Sequence, residues 1–297
     1  MTHLDSILGT IDSWGADHAA AAVVGPDGVI AQHGDRDRAF RWASVTKIAI
    51  ALAALSAVDD GTIDLDEAMG PPGSTIRHLL AHTSGLPFDG EAVQAKPGAR
   101  RIYSNAGFDL LGRVLQERDE RPIAVALTDR VLAPLGMAGT ELRERPSQGL
   151  HGPLVDAAAL ARELLRPTLV TRPVFEAATS VAFPTLKGVL PGVGPFDPLD
   201  WGLGFEIRDA KTPHWTGTRN SPRTFGHFGG AGTFIWVDPV IDRALVVLTD
   251  REFDRWALGA WPPFSDSLIG SLLRDRDGES QLAPGSEGSG AAAGADA

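Results

Sequence analysis

Residues 48–55 read IAIALAAL, an apolar run with no polar face. A helix that is apolar all round has to be covered on every side. The run is too short to cross a bilayer, so it reads as a helix buried at the centre of a globular fold. Asp59-Asp60-Gly61 stops it, and the pattern predicts a helix over residues 44–58. The rest of the chain must supply layers around that helix.

Residues 19–34, AAAAVVGPDGVIAQHG, read as two short strands joined by a Pro-Asp-Gly turn. From about 60 to 200 the chain is helical and rich in loops. Strand patterns return in LGFEIRD, GAGTFIWVDP and DRALVVLTD, residues 203–209, 230–239 and 242–250. A final helix is expected over 264–274. These elements imply an α/β layer built from both ends of the chain, with a mostly helical insert. The expected organisation is an α/β sandwich from residues 1–60 and 200–275, and a helical domain over 61–199. Residues 276–297 hold too few bulky apolar groups to repay ordering and are expected to form a disordered tail.

A net charge of -11 disfavours nucleic acid and anionic membrane surfaces as partners. The absence of cysteine rules out disulfides and thiolate metal sites. The first residues, MTHLDSILGTIDSWGADH, show neither a basic nor a long apolar leader segment, and a cytoplasmic location is expected.

The buried helix begins at Ser44-Val-Thr-Lys47. The chain has 4 lysines and 16 serines, so this spacing arises by chance roughly 0.2 times. Both side chains would project from one helical face, with Ser44 where unpaired N–H groups favour negative charge. Packing around Lys47 would lower its pKa and let it accept the serine proton. The same tetrapeptide also fits an N-cap serine beside a lysine that snorkels to solvent.

Tyr103 is the only tyrosine, against 12 Phe and 7 Trp. A phenol can hydrogen-bond an ammonium or, with its pKa depressed by a nearby cation, relay a proton. Asn105 adds a donor and an acceptor two residues on. A core tyrosine beside a capping asparagine is the competing reading. In GHFGGAGTFIWVDP, residues 226–239, the glycines precede a strand pattern rather than the helix a phosphate loop requires. Glycines on a strand admit another group close to the backbone, where an N–H can face an oxyanion. His227 beside them is either a structural strand histidine or a polar or cationic group of a site.

Ser44-x-x-Lys47, Tyr103-x-Asn105 and His227-x-Gly229, in that order, resemble the serine β-lactamase and penicillin-binding-protein superfamily. The finer resemblance is to its class C β-lactamase-like branch, including the family VIII carboxylesterases, where the second motif is Tyr-x-Asn and His often replaces the third motif's lysine. DGTIDLDE (60–67), TIRHLLAHTSGLP (75–87), KPGARRIYSNAGFDLLG (96–112) and WGLGFEI (201–207) also look like family segments. The resemblance implies an antiparallel sheet flanked by helices beside a helical domain, with the site in the cleft between them. It implies Ser44 as the acylated nucleophile, with Lys47 and Tyr103 sharing proton transfer. Asn105 would contact substrate or orient Lys47, His227 would take the place of the third motif's lysine in substrate binding, and the N–H groups of Ser44 and Gly230 would form the oxyanion hole. No cofactor or metal is implied.

His78 and His82 have the i, i+4 spacing of a metal pair but lack the acidic base of a zinc hydrolase, and read as structural. Trp201 is a candidate wall of an acyl pocket. No Gly-x-Ser-x-Gly occurs. The expected activity is hydrolysis of small or medium carboxylic esters, the partner being a small acyl compound. Amidase or D-amino-acid peptidase, β-lactamase and acyltransferase activities are the alternatives within the family. A non-catalytic acyl-ligand binding or sensor module is the alternative outside it. The sequence leaves the oligomeric state open.

Overall fold

The computed structural model describes residues 3–282. A short helix α1 (His3–Leu8) precedes the hairpin β1 (Ala19–Gly25) and β2 (Gly28–His33). After β3 (Phe40–Arg41) comes the central helix α2 (Thr46–Asp59). The middle of the chain holds α3 (Ile76–Leu80), β4 (Arg101–Ile102), α4 (Asn105–Arg118), α5 (Ile123–Leu127), β5 (Glu141–Leu142) and β6 (Leu150–Gly152). It continues through α6 (Leu154–Leu165), α7 (Arg172–Ala178), β7 (Gly188–Leu190) and β8 (Gly194–Phe196). Four strands follow, β9 (Glu206–Ile207), β10 (Phe225–Gly229), β11 (Thr233–Asp238) and β12 (Arg243–Thr249), and then α8 (Arg255–Leu282).

The main sheet runs β2-β1-β12-β11-β10-β9, with every neighbouring pair antiparallel. The two ends of the chain meet where Ala19 to Val24 of β1 pair with Thr249 to Ala244 of β12. This is the antiparallel, helix-flanked α/β architecture that the sequence resemblance implies.

Strand alternation divides the core in two. Ala20, Ala22 and Val24 of β1 join Ile235, Val246 and the helices α2, α4 and α6 on one face. Ala21 and Val23 join Phe234, Trp236, Val247 and the helices α1 and α8 on the other. Four consecutive alanines would favour a helix by propensity alone. Buried on both faces, they serve as a strand whose small side chains let helices pack from either side.

The structure corrects three boundaries. Helix α2 begins at Thr46, and Ser44 lies in a 3-10 turn, Ala43–Val45, that leads into it. Helix α8 starts at Arg255 rather than 264 and carries Pro262 and Pro263 internally. Ring contacts of Trp14 with Trp256 and Phe264, and of Trp261 with Phe234 of β11, hold that first part of α8 against the sheet, so packing overrides the proline signal. The helix continues to Leu282, into the stretch expected as a disordered tail, whose remainder, 283–297, lies outside the described residues. Helix α6 falls within the expected helical insert, yet it packs on β1, β11 and β12. Among the described residues no helix is long and apolar enough to cross a membrane.

Candidate active site

Helix α2 is buried along almost its whole length, Lys47 included. Its entry turn is fixed from three sides. The Trp42 backbone N–H donates to the Leu150 carbonyl at 2.9 Å, and the Trp42 indole donates to the Gly152 carbonyl at 3.0 Å. The Thr233 hydroxyl donates to the Trp42 carbonyl at 2.8 Å. These anchors hold Ala43 at φ 47°, a left-handed conformation that costs a non-glycine residue about 1–3 kcal/mol. The strained residue immediately precedes Ser44.

Lys47 Nζ lies 3.2 Å from Ser44 Oγ, 2.7 Å from Asn105 Oδ1 and 2.7 Å from the Ser147 carbonyl. Burial lowers the Lys47 pKa to about 7, opposed by Asp109, helped by Arg145 and opposed again by Asp89. A neutral amine has two N–H bonds and one lone pair. The Asn105 and Ser147 oxygens can only accept, so they take both N–H bonds. The lone pair is left for the Ser44 hydroxyl proton.

Tyr103 is buried, with its ring 4.8 Å from Lys47 Nζ and its hydroxyl beside that of Ser44. Burial raises its pKa more strongly than the Ser44 hydroxyl, a donor to the phenolate form, lowers it, so the side chain is a neutral phenol. This corrects the expectation that a cation would depress it: burial dominates, and the neighbouring amine, itself brought down to about 7, is only partly charged at neutral pH. On the far side, the Tyr103 hydroxyl is 3.4 Å from His227 Nε2. His227 Nδ1 donates to the Phe228 carbonyl at 2.7 Å. Burial and then Lys47 push His227 down to about 3, so its Nε2 is a bare acceptor and the ring is not a cation.

Strand β10 delivers His227 and the two glycines. A Cβ on Gly229 would lie 2.4 Å from the Trp42 carbonyl oxygen and 3.1 Å from the Ser44 nitrogen, so only glycine allows the strand this close to the Ser44 turn. Gly230 follows with open space around it, its carbonyl accepting from the Phe253 N–H at 2.7 Å. Among the described residues, neither the Ser44 nor the Gly230 N–H donates to another protein group.

All the residues singled out from the three sequence motifs thus converge on one point, which Trp201 does not line. It is 1% exposed and packs edge-on against His82 and His227, so it backs Tyr103 and His227 rather than walling an open pocket. His78 caps α3 with Thr75, while His82 accepts from the Ser104 N–H at 3.1 Å, so the two rings do separate structural work. Asn105 is the first residue of α4, whose N-cap Ser104 accepts from the Gly107 N–H at 2.9 Å. Sequence reasoning missed the Ser147 carbonyl, for which no sequence signal exists, since every residue type carries one. It also missed Asp109, which sits one helical turn beyond Asn105 and was findable from that spacing.

A serine hydroxyl facing a desolvated amine, beside backbone N–H groups without a protein partner, is an arrangement that can support nucleophilic acyl transfer, here on an antiparallel α/β scaffold. The beta-lactamase family signature matches residues 13–261, and the chain belongs to that family. It is similar to the crystal structure of a beta-lactamase (Mb2281c) from Mycobacterium bovis, with 51% identity over 90% of this chain and 99% of that one, at a TM-score of 0.88. A penicillin-binding protein homologue from Pyrococcus abyssi shares the fold at a TM-score of 0.71 and 19% identity, over 92% of this chain and 77% of that one. Protein flp of Staphylococcus aureus is 29% identical over 172 residues, 46% of this chain. That match spans 33% of flp's own length.

Proposed function

We propose that the protein is a serine hydrolase that forms an acyl-enzyme on Ser44 and hydrolyses small or medium carboxylic esters, a chemistry of the class C-like branch of its family. The observation that carries this reading is the commitment of both Lys47 N–H bonds to Asn105 and Ser147, which aims the lone pair at Ser44. Ser44 Oγ attacks the ester carbonyl carbon as its proton passes to Lys47. The oxyanion so formed is met by the N–H groups of Ser44 and Gly230. Collapse breaks the bond to the alcohol oxygen, which takes a proton from the Lys47 ammonium, with the Tyr103 hydroxyl as relay. Water then repeats the sequence on the acyl-enzyme and frees Ser44.

The uncharged His227 favours neutral esters, because the third motif offers no cation to anchor a substrate carboxylate. A second reading, β-lactam hydrolysis, is favoured by the beta-lactamase name of the 51% identical Mycobacterium bovis structure. A panel of p-nitrophenyl esters, amides and a chromogenic cephalosporin separates these, and an added alcohol or amine acceptor reveals acyl transfer. Ser44→Ala is expected to abolish ester hydrolysis with little change in Tm, and a fluorophosphonate probe to add its mass at Ser44. A variant as active as the parent would refute the nucleophile assignment. A wild-type protein that neither acylates nor turns over anything in the panel would instead mark a binding module.

A further inference from the structure

Both acceptors of the Lys47 amine are held from behind by charged side chains. Asn105 Nδ2 faces Asp89 Oδ2 at 3.5 Å, and Asp89 Oδ1 is paired with Arg145. Arg145 Nη2 also reaches Asp109 Oδ2 at 2.7 Å. Asp109 Oδ1 accepts from the Ser147 N–H at 3.0 Å, and the Arg145 Nε–H donates to the Ser147 hydroxyl at 3.1 Å. The contacts form a closed ring: Lys47, Asn105, Asp89, Arg145, Asp109, Ser147 and back to Lys47. Helix α4 contributes Asn105 and Asp109 from successive turns of one face, which is why the ring closes over so short a path.

We propose that Asp89, Arg145 and Asp109 are positioning residues of the acylation step, an ionic triad that holds both Lys47 acceptors in place and sets the proton affinity of the amine. None of the three touches Ser44, so they act through Lys47. Their charges oppose one another across the amine, the two carboxylates favouring the ammonium and the guanidinium disfavouring it. The remaining polar groups about Lys47 are uncharged. His82 and His227 are buried and held neutral, Tyr103 is a phenol, and Ser44 and Asn105 do not titrate. Burial sets the level from which the amine titrates, and the three charges of the triad adjust it from there. All three side chains are partly exposed, so the ring also couples the buried amine to solvent.

This inference rests on the serine-hydrolase reading, but its test does not require turnover. The chain has 4 lysines, so protein labelled with [ε-13C]lysine gives few enough signals to follow Lys47 by NMR across pH. Asp109→Asn, which keeps an acceptor for the Ser147 N–H, is expected to lower the Lys47 midpoint by about half a pH unit. Asp89→Asn should lower it as well, Arg145→Gln should raise it, and Asp109→Glu should restore the parent value. The acidic limb of kcat/KM is expected to move in step. If the triad were merely structural, each variant would loosen the site, admit water and raise the midpoint, so a common upward shift, or no shift, overturns the proposal. Opposed shifts in a protein that neither acylates nor turns over anything in the panel would support the ring while sinking the hydrolase reading.

Discussion

The Tyr103 hydroxyl lies 3.4 Å from His227 Nε2, and the other imidazole nitrogen is already engaged by the Phe228 carbonyl. The phenol is therefore the donor of that pair. Histidine here accepts a hydrogen bond in a position that, by family resemblance, is held by a cationic lysine. Two titrations are separated as a result, with His227 pushed down to about 3 and Lys47 down to about 7. In the proposed mechanism Lys47 must be neutral to act as base, so kcat/KM should be low below pH 7 and rise as pH increases through the Lys47 value. His227→Gln should cut kcat/KM by about tenfold to hundredfold, the cost of disturbing one buried hydrogen bond, and leave that limb where it is. A limb that disappears with the imidazole would make His227, not Lys47, the titrating base.

Gly229 and Gly230 are adjacent yet should answer differently to alanine. At Gly229 the added methyl meets the Trp42 carbonyl oxygen at 2.4 Å and Thr233 Oγ1 at 2.5 Å. The hydrogen bond that pins the nucleophile turn runs between those two atoms. Gly229→Ala should cost about 1–3 kcal/mol of stability and most of the activity, because relief of the overlap displaces Ser44. At Gly230 no atom lies within 4 Å of the added carbon, and Gly230→Ala should keep the parent Tm. Thermal melts beside kcat for the two variants check this, and matching melting temperatures would mean that β10 has room the contacts deny it.

Helix α2 was legible because an apolar run without a polar face admits one solution, burial from every side. The hairpin and the strands β11 and β12 were legible from their turns and β-branched residues. Ser44, Lys47, Tyr103, Asn105, His227 and Gly230 were legible as motifs, and the fold brings them within reach of one another. Proton affinities were not legible. Tyr103 and His227 are governed by desolvation, which depends on what the rest of the chain stacks around them. The start of α8 was hidden for a related reason, since Trp14, from the opposite end of the sequence, holds it in place. The two- and three-residue strands β3 and β6 carry too little pattern to be read, whereas β9 was legible only as part of the longer run LGFEIRD, of which just Glu206–Ile207 pair as a strand.

Glu206 supplies the last test, away from Ser44. It is 2% exposed and bonds Lys211 Nζ at 2.9 Å, His214 Nε2 at 3.0 Å and the Trp215 indole at 3.0 Å. Burial alone would raise its pKa, but His214 and Lys211 outweigh it and bring the carboxyl from 4.5 to about 2. A folded pKa below the unfolded one means that the unfolded chain binds more protons in that interval. The stabilisation is thus complete above about pH 4.5 and is lost as pH falls through 2. Glu206→Gln leaves Lys211 enclosed without its counter-charge and should cost about 3–5 kcal/mol at pH 7, read by urea unfolding. The gap between variant and parent should narrow as the pH is lowered, because protonation removes the same charge from the parent. A gap that stays constant from pH 7 to pH 3 would place the energy in packing and hydrogen-bond shape rather than in the ion pair.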